Sequence, residues 1–235
     1  MTERGARHVS QSSDRLQVGP SAISWSGDAL EIEVDEISTP HIGRLRGRIR
    51  LHPTAVTEVE APLHHDDGHI WRPFAPTARV EVDLGEDRWR WQGHGYFDAN
   101  FGTRALEDDF QYWTWARHPV ADGSVAFYDA SRRDGTDLAL ALRFRRDGRV
   151  DPIDAPPFAA MRPGLWRVRR TARSDAGTAP KVAQSMLDAP FYCRTGVTAR
   201  INGETTTGVH EALDLDRLRN PIIQAMLMVR MPRIP

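Results

Sequence analysis

Hydrophobic and polar residues alternate with a period of two over much of the chain. Leu30, Ile32 and Val34 are separated by Glu31, Glu33 and Asp35. Leu45, Ile49 and Leu51 sit among Arg44, Arg46, Arg48 and Arg50, and Val80, Val82 and Leu84 among Arg79, Glu81 and Asp83. Leu138, Leu140, Leu142 and Phe144 alternate with the smaller or charged Ala139, Ala141 and Arg143. Successive side chains of a strand point to opposite faces, so this period predicts half-buried antiparallel strands. Ser26-Gly27-Asp28, Asp122-Gly123, Asp134-Gly135, Asp147-Gly148 and Asn202-Gly203 punctuate the runs, and such pairs between strands signal hairpins. The fold class is therefore mainly β, as barrels or sandwiches.

Helical spacing is confined to the C-terminus. Leu213, Leu215, Leu218, Ile222, Ile223, Met226 and Leu227 recur at near-helical intervals, with Pro221 as a break or restart. This predicts a short helix packed on a barrel, the alternative being an amphipathic contact with a membrane surface. Residues 1–14 are polar and expected to be frayed or disordered. The Pro- and Ala-rich segments 151–164 and 174–180 read as loops. A soft boundary near residue 105 divides the chain into β units over 1–105 and 106–235.

Composition removes several classes of function. Among 235 residues the net charge is −1 with acids and bases interspersed, so no basic block exists to collect the phosphates of a nucleic acid. The apolar runs are too short to span a bilayer, and no apolar secretory segment follows Met1. Peripheral membrane contact stays open. The single cysteine, Cys193, rules out an intramolecular disulfide and fits a reducing, cytoplasmic compartment.

The chemistry concentrates in Gly93-His94-Gly95-Tyr96-Phe97-Asp98-Ala99-Asn100-Phe101-Gly102, followed by Tyr112-Trp113-Thr114-Trp115. A carboxyl set among rings is unusual in a strand unless its protonation state is used. Tyr96 and Asp98 are two apart and share a strand face, as do His69 and Trp71 on their own strand. A carboxyl, a phenol, an imidazole and an indole would then converge. The plainer reading has Asp98 and Asn100 terminating a strand while the rings fill the core. No glycine-rich phosphate loop or nucleophile elbow is present. His64-His65-Asp66-Asp67 carries metal-ligating types, but adjacent histidines on a strand face opposite ways, so a solvated loop and no metal site is expected.

These residues resemble the acyclic carotenoid 1,2-hydratases, or hydroxyneurosporene synthases, of phototrophic proteobacteria. The resemblance rests on the run Gly93 to Gly102 and on Asp109-Phe110-Gln111-Tyr112-Trp113-Thr114-Trp115-Ala116-Arg117. It also rests on His69-Ile70-Trp71-Arg72-Pro73-Phe74-Ala75-Pro76, Phe127-Tyr128-Asp129-Ala130, Leu187-Asp188-Ala189-Pro190-Phe191-Tyr192 and Gly208 to Arg217. The motifs are long, stand in family order and cover the chain past its polar start. The family's fold implies two lipocalin-like antiparallel β-barrel units with a short C-terminal helix. Family members carry a further N-terminal segment, so the first barrel is expected to be incomplete.

What the resemblance implies is hydration of the C-1,2 double bond of neurosporene- or lycopene-type carotenoids without a redox or metal cofactor. The pathway would lead to spheroidene or spirilloxanthin, with the protein peripheral to the photosynthetic membrane. Asp98, His69, Tyr96 and Trp71 match the family's catalytic motif. Asp98 is the candidate acid, with its protonated form favoured by desolvation among rings. Trp71 and Tyr96 would face the tertiary cation, and His69 would hold water or orient Asp98. Trp113, Trp115 and Tyr128 would line the polyene channel, with Asp129 and His210-Glu211 as second choices for acid–base work. Two competing readings are a lipid-binding barrel without chemistry and a related cyclase, in which ring closure replaces water capture.

Overall fold

The computed structural model describes residues 2–38, 43–228 and 231–232. Strands dominate, and the alternating runs form them: Ala29–Ser38, Gly43–Pro53, His69–Asp83 and Asp137–Arg145. The expected turns join them. Asn202 and Gly203 have φ of 50° and 86°, the left-handed pair that a tight hairpin of this twist requires. The chain divides into two units, one of residues 1–56, 75–97 and 227–235, the other of 57–74 and 98–226.

The first unit is an antiparallel meander through Val9–Gln11, Arg15–Val18, Ser21–Ser26, Ala29–Ser38, Gly43–Pro53 and the distal part of His69–Asp83. Leu30 lies opposite Leu51 and Leu51 opposite Val80, and Leu30, Leu51, Ala75 and Ala78 form a core with Ile23 and Phe97 packed on it. The other residues of the same strands pair charge with charge: Glu31 opposite Arg50, Glu33 opposite Arg48, Asp35 opposite Arg46. Each such pair contributes only about 0.2–1 kcal/mol. The ladder matters more for register, because a slip of one residue would turn the arginines into the core. The polar N-terminal residues expected to fray are built into this meander. Arg4 donates to both carboxylate oxygens of Glu36 at 3.0 and 2.8 Å, and Val9–Gln11 pairs through its backbone while its side chains stay exposed. Polarity forbids burial of those side chains but not strand pairing.

The second unit holds a seven-stranded antiparallel sheet in the order Val150–Pro152, Asp137–Arg145, Gly123–Arg132, Phe110–Val120, Glu204–Asp214, Tyr192–Ile201, Lys181–Asp188. One face carries Ala116, Val125, Phe127, Ala141, Val197, Ala199 and Ile201, covered by Met161 and Ala172. The covering segment contains the small hairpin of Phe158–Ala160 and Thr171–Arg173, so the stretch read as a loop over 151–164 holds the end of Val150–Pro152 and the short strand Phe158–Ala160.

The fold is mainly β as expected, but the strand orders run from edge to edge and neither sheet closes into a barrel among the described residues. The edges are blunted instead. Val150–Pro152 ends in a proline, and Lys181–Asp188 meets its neighbour with two register shifts. The C-terminal helical signal splits in two, Leu215–Leu218 and Pro221–Met228. Asp214 caps the first by accepting from Arg217 N at 3.0 Å. Pro221 opens the second, where its missing N–H is no loss.

Candidate active site

His69 and Trp71 open the strand His69–Asp83 on its buried parity, 2% and 0% exposed. Asp98 lies on Arg90–Gly102, which pairs with that strand, so the two strands expected to meet are neighbours. Trp71 Nε1 donates to Asp98 Oδ2 at 2.8 Å. Around this bond stands a run of rings. Trp71 lies 5.7 Å from Tyr128 and edge-on to Phe144 at 6.2 Å; Trp113 meets Tyr128 at 5.6 Å and Phe110 at 5.9 Å, and Phe110 meets His69 at 5.1 Å. The tilted and edge-on angles suit the quadrupoles of aromatic rings.

Register explains why these side chains gather. Trp113 pairs with Ala130 and Leu213, Trp115 with Tyr128 and Glu211, and Tyr128 with Leu140. Trp113, Trp115, Tyr128 and Glu211 therefore share one face of the sheet, opposite to the aliphatic core face. Burial, then the charges of Asp98 and Glu211, push the Tyr128 phenol well above its ordinary range. Glu211 is itself pushed up, first by burial and also by the Asp98 charge, although Arg194 at 3.4 Å and a bond from Tyr192 oppose this. Two carboxyls and a phenol thus act on one another on this face.

His69 has a partner that no spacing in the sequence revealed. Its Nε2 lies 2.7 Å from Asp109 Oδ2, forty residues along the chain. Burial pushes the Asp109 carboxyl up, but its bonds from Arg104 (2.8 Å) and His69 outweigh burial and hold it below the usual range. An ionised Asp109 makes Nε2 the protonated nitrogen of His69. Arg104 also bridges to Asp66 at 2.9 Å, and Asp66 holds His64 Nδ1 at 2.6 Å. Gly102 closes the corner: a Cβ there would stand 2.6 Å from His69 Nδ1. Asp109 lies within the matched stretch Asp109 to Arg117, yet only the fold of the one-turn helix Leu106–Asp109 brings it to His69.

Tyr96 is half-buried two residues before Asp98 on the same strand and belongs to the first unit. His64 and His65 do not face opposite ways, because their segment is a turn and not a strand; their rings stack at 4.0 Å. With Asp134 they form a group whose ligand atoms lie within 4.8 Å, the spacing a metal ion would need. Two of the three are exposed, and His64 already holds Asp66. His210 and Glu211, weighed as a pair, are split by the strand. Glu211 joins the aromatic face, whereas His210 enters the core and its Nε2 lies 2.8 Å from Thr171 O. Asp129 also lies on the core side, locked by Arg173.

Cavities lie elsewhere among the described residues. One of about 980 Å³ in the first unit is lined by the charge ladder, including Glu33, Asp35, Arg46 and Arg48. Another, about 370 Å³, opens beside Asp129 and Arg173. Neither lining includes Asp98 or Trp71.

The model of the family described as carotenoid hydratase CrtC matches residues 1–235. The acyclic carotenoid 1,2-hydratase of Cereibacter sphaeroides is 55% identical over 236 residues, which cover 100% of this chain and 84% of that protein. The protein of the same name from Rhodobacter capsulatus is 54% identical over 235 residues, 99% of this chain and 83% of that one. Among solved structures, an AttH protein of Nitrosomonas europaea superposes with a TM-score of 0.59 at 13% identity, covering 90% of this chain and 73% of that chain. That likeness is one of fold, and it agrees with the mainly β, lipocalin-like class expected from the sequence.

Proposed function

The chain belongs to the carotenoid hydratase CrtC family, and from that premise we propose that it adds water across the C-1,2 double bond of an acyclic carotenoid of neurosporene or lycopene type. The observation that carries the reading is the bond from Trp71 Nε1 to Asp98 Oδ2, set in a run of aromatic rings. Hydration of a trisubstituted alkene begins with a proton on C-2 and leaves a tertiary cation at C-1. Protonated Asp98 gives that proton, and the indole N–H stabilises the carboxylate that remains. Trp71 meets the cation with an electron-rich face.

Water adds to C-1 through its oxygen, and the oxonium proton leaves to a base. His69 takes this role. Asp109 holds Nε2 in its protonated form, so the lone pair is on Nδ1, the same division of labour as in a carboxylate-oriented catalytic histidine. Net addition of water moves no electrons in or out, so acid–base groups suffice for the whole step. Trp113, Trp115 and Tyr128 line the path of the polyene. The product, a 1-hydroxy carotenoid, is of the kind that routes to spheroidene or spirilloxanthin require. A substrate of this apolarity dissolves in a membrane, and the protein would meet it at that membrane's surface.

The test is Asp98→Asn. Purified protein with detergent-dispersed lycopene in heavy water should yield a tertiary alcohol with deuterium at C-2. The variant should lose about 10²- to 10⁴-fold in rate, the range of general-acid catalysis, with an unchanged far-ultraviolet spectrum. Wild-type turnover in the variant removes Asp98 from the acid role, and bound but unaltered carotenoid in the wild type favours a carrier.

A further inference from the structure

We propose that the turn from Gly164 to Arg167, with the strand end beside it, is a docking surface for an anionic lipid bilayer. Arg167 N donates to Gly164 O at 3.1 Å and closes a turn whose apex residues are Leu165 and Trp166. Turn apices ordinarily carry Gly, Pro, Asn, Asp or Ser. Here Leu165 is 84% exposed and Trp166 48%.

The apex is held in place by the second unit. Leu165 N donates to Asp188 Oδ2 at 2.5 Å. Arg217 donates to Trp166 O at 2.7 Å, to Pro190 O at 3.1 Å and to Arg167 O at 3.2 Å. These bonds fix Leu165 and Trp166 beside the end of Lys181–Asp188, where Met186 and Leu187 are half-exposed. Leu165, Trp166, Met186 and Leu187 around one turn and the strand end bonded to it exceed the single exposed residues that need no explanation.

Charge selects the occupant. Arg162, Arg167 and Arg169 are exposed around the apex, and residues 162–170 contain no Asp or Glu. A second copy of the chain would bring arginine collar against arginine collar, which repels. An apolar tip with a tryptophan at its border and a guanidinium collar fits the depth profile of a bilayer, acyl chains below and lipid phosphates above. The surface is inferred from the turn itself and leans on the proposed function only in that a polyene would be drawn from that phase.

The experiment is vesicle flotation of the full chain with phosphatidylcholine alone and with added phosphatidylglycerol. The wild type should float with the phosphatidylglycerol vesicles and about tenfold less with the neutral ones. Leu165→Ser with Trp166→Ser should lower flotation about tenfold while hydration of detergent-dispersed lycopene is unchanged. Equal flotation of variant and wild type overturns the proposal, as does a wild type that ignores both vesicles. Sedimentation velocity supplies the remaining outcome: a dimer that the paired substitution splits assigns the surface to a second copy and overturns it. Absence of hydration in detergent tells against the proposed function and leaves the flotation result standing.

Discussion

The two faces of the sheet in the second unit share one backbone and hold different chemistry. On the core face the buried charges and one imidazole nitrogen are tied into structural contacts. Arg173 forks onto Asp129 at 2.5 and 3.2 Å, Arg170 reaches Thr195 at 3.0 Å, and His210 meets Thr171 O. On the aromatic face the carboxyls have softer company. Asp98 is held by an indole, and Glu211 answers to Tyr192, Arg194 and the charge of Asp98. Titration is perturbed on both faces, so perturbation alone does not mark a site. The neighbour does. Arg173 forks onto Asp129 on the core face, whereas on the aromatic face an indole N–H meets Asp98.

The largest expected effect breaks the core face. Asp129 and Arg173 are each about one-tenth exposed, and burial pushes the Asp129 carboxyl up against the pull of Arg173. Such a pair contributes little net stability, but removing one partner strands the other charge. Asp129→Ala should cost about 3–5 kcal/mol in urea unfolding. Asp129→Leu with Arg173→Met should recover most of that loss. Hydration per folded molecule should stay at the wild-type level, because the pair faces away from Trp71. A variant that folds normally yet loses activity would move Asp129 into the catalytic set.

The next effect is a pH window. Burial pushes His118 and His210 down to about 4 from 6.5, His210 and Arg117 adding to the fall at His118 and Arg170 at His210. Both imidazoles are therefore neutral in the folded protein where the unfolded chain binds protons. Stability should fall as pH drops from about 6.5 to about 4 and gain no further slope from these groups below that. Each histidine contributes at most roughly 3 kcal/mol across the window. His118→Leu should flatten the dependence of the urea midpoint on pH between these limits. An unchanged slope would show that His118 is hydrated and titrates normally.

How much of this was legible follows from the range of each interaction. The period-two runs could be read because a half-buried strand writes its two environments into adjacent residues, as Glu31 to Asp35 do against Leu30 to Val34. The turns could be read because Asn202-Gly203 needs left-handed backbone locally. Strand parity put Trp71 on the face of His69 and Asp98 on the face of Tyr96, but it did not say that the two strands meet. What lay out of reach was set by non-local geometry. Asp109 finds His69 across forty residues. His64 and His65 stack because Leu63 to His69 turns, which adjacent histidines alone do not announce. That both sheets end on open edges depends on strand pairing, and pairing has no signature in composition. Splitting His210 from Glu211 required only parity, but choosing which face was the core required the fold.

The smallest effect sharpens the aromatic face. Glu211 shares that face with Trp115 and Tyr128, and its ionisation is opposed by burial and then by the charge of Asp98. It bonds to Tyr192 and pairs with Arg194, so it is anchored without touching the Trp71–Asp98 bond. Its influence on the reaction is therefore one of charge, felt only where it ionises. Glu211→Gln keeps the shape and the bond from Tyr192 while holding the group neutral at every pH. The rate at low pH, where Glu211 is already neutral, should match the wild type. Above the ordinary glutamate range the two profiles should separate by less than about tenfold, or ~1.4 kcal/mol. Coincident profiles across the whole range would confine Glu211 to holding Arg194 and Tyr192, and would leave Asp98 as the sole carboxyl of consequence on its face.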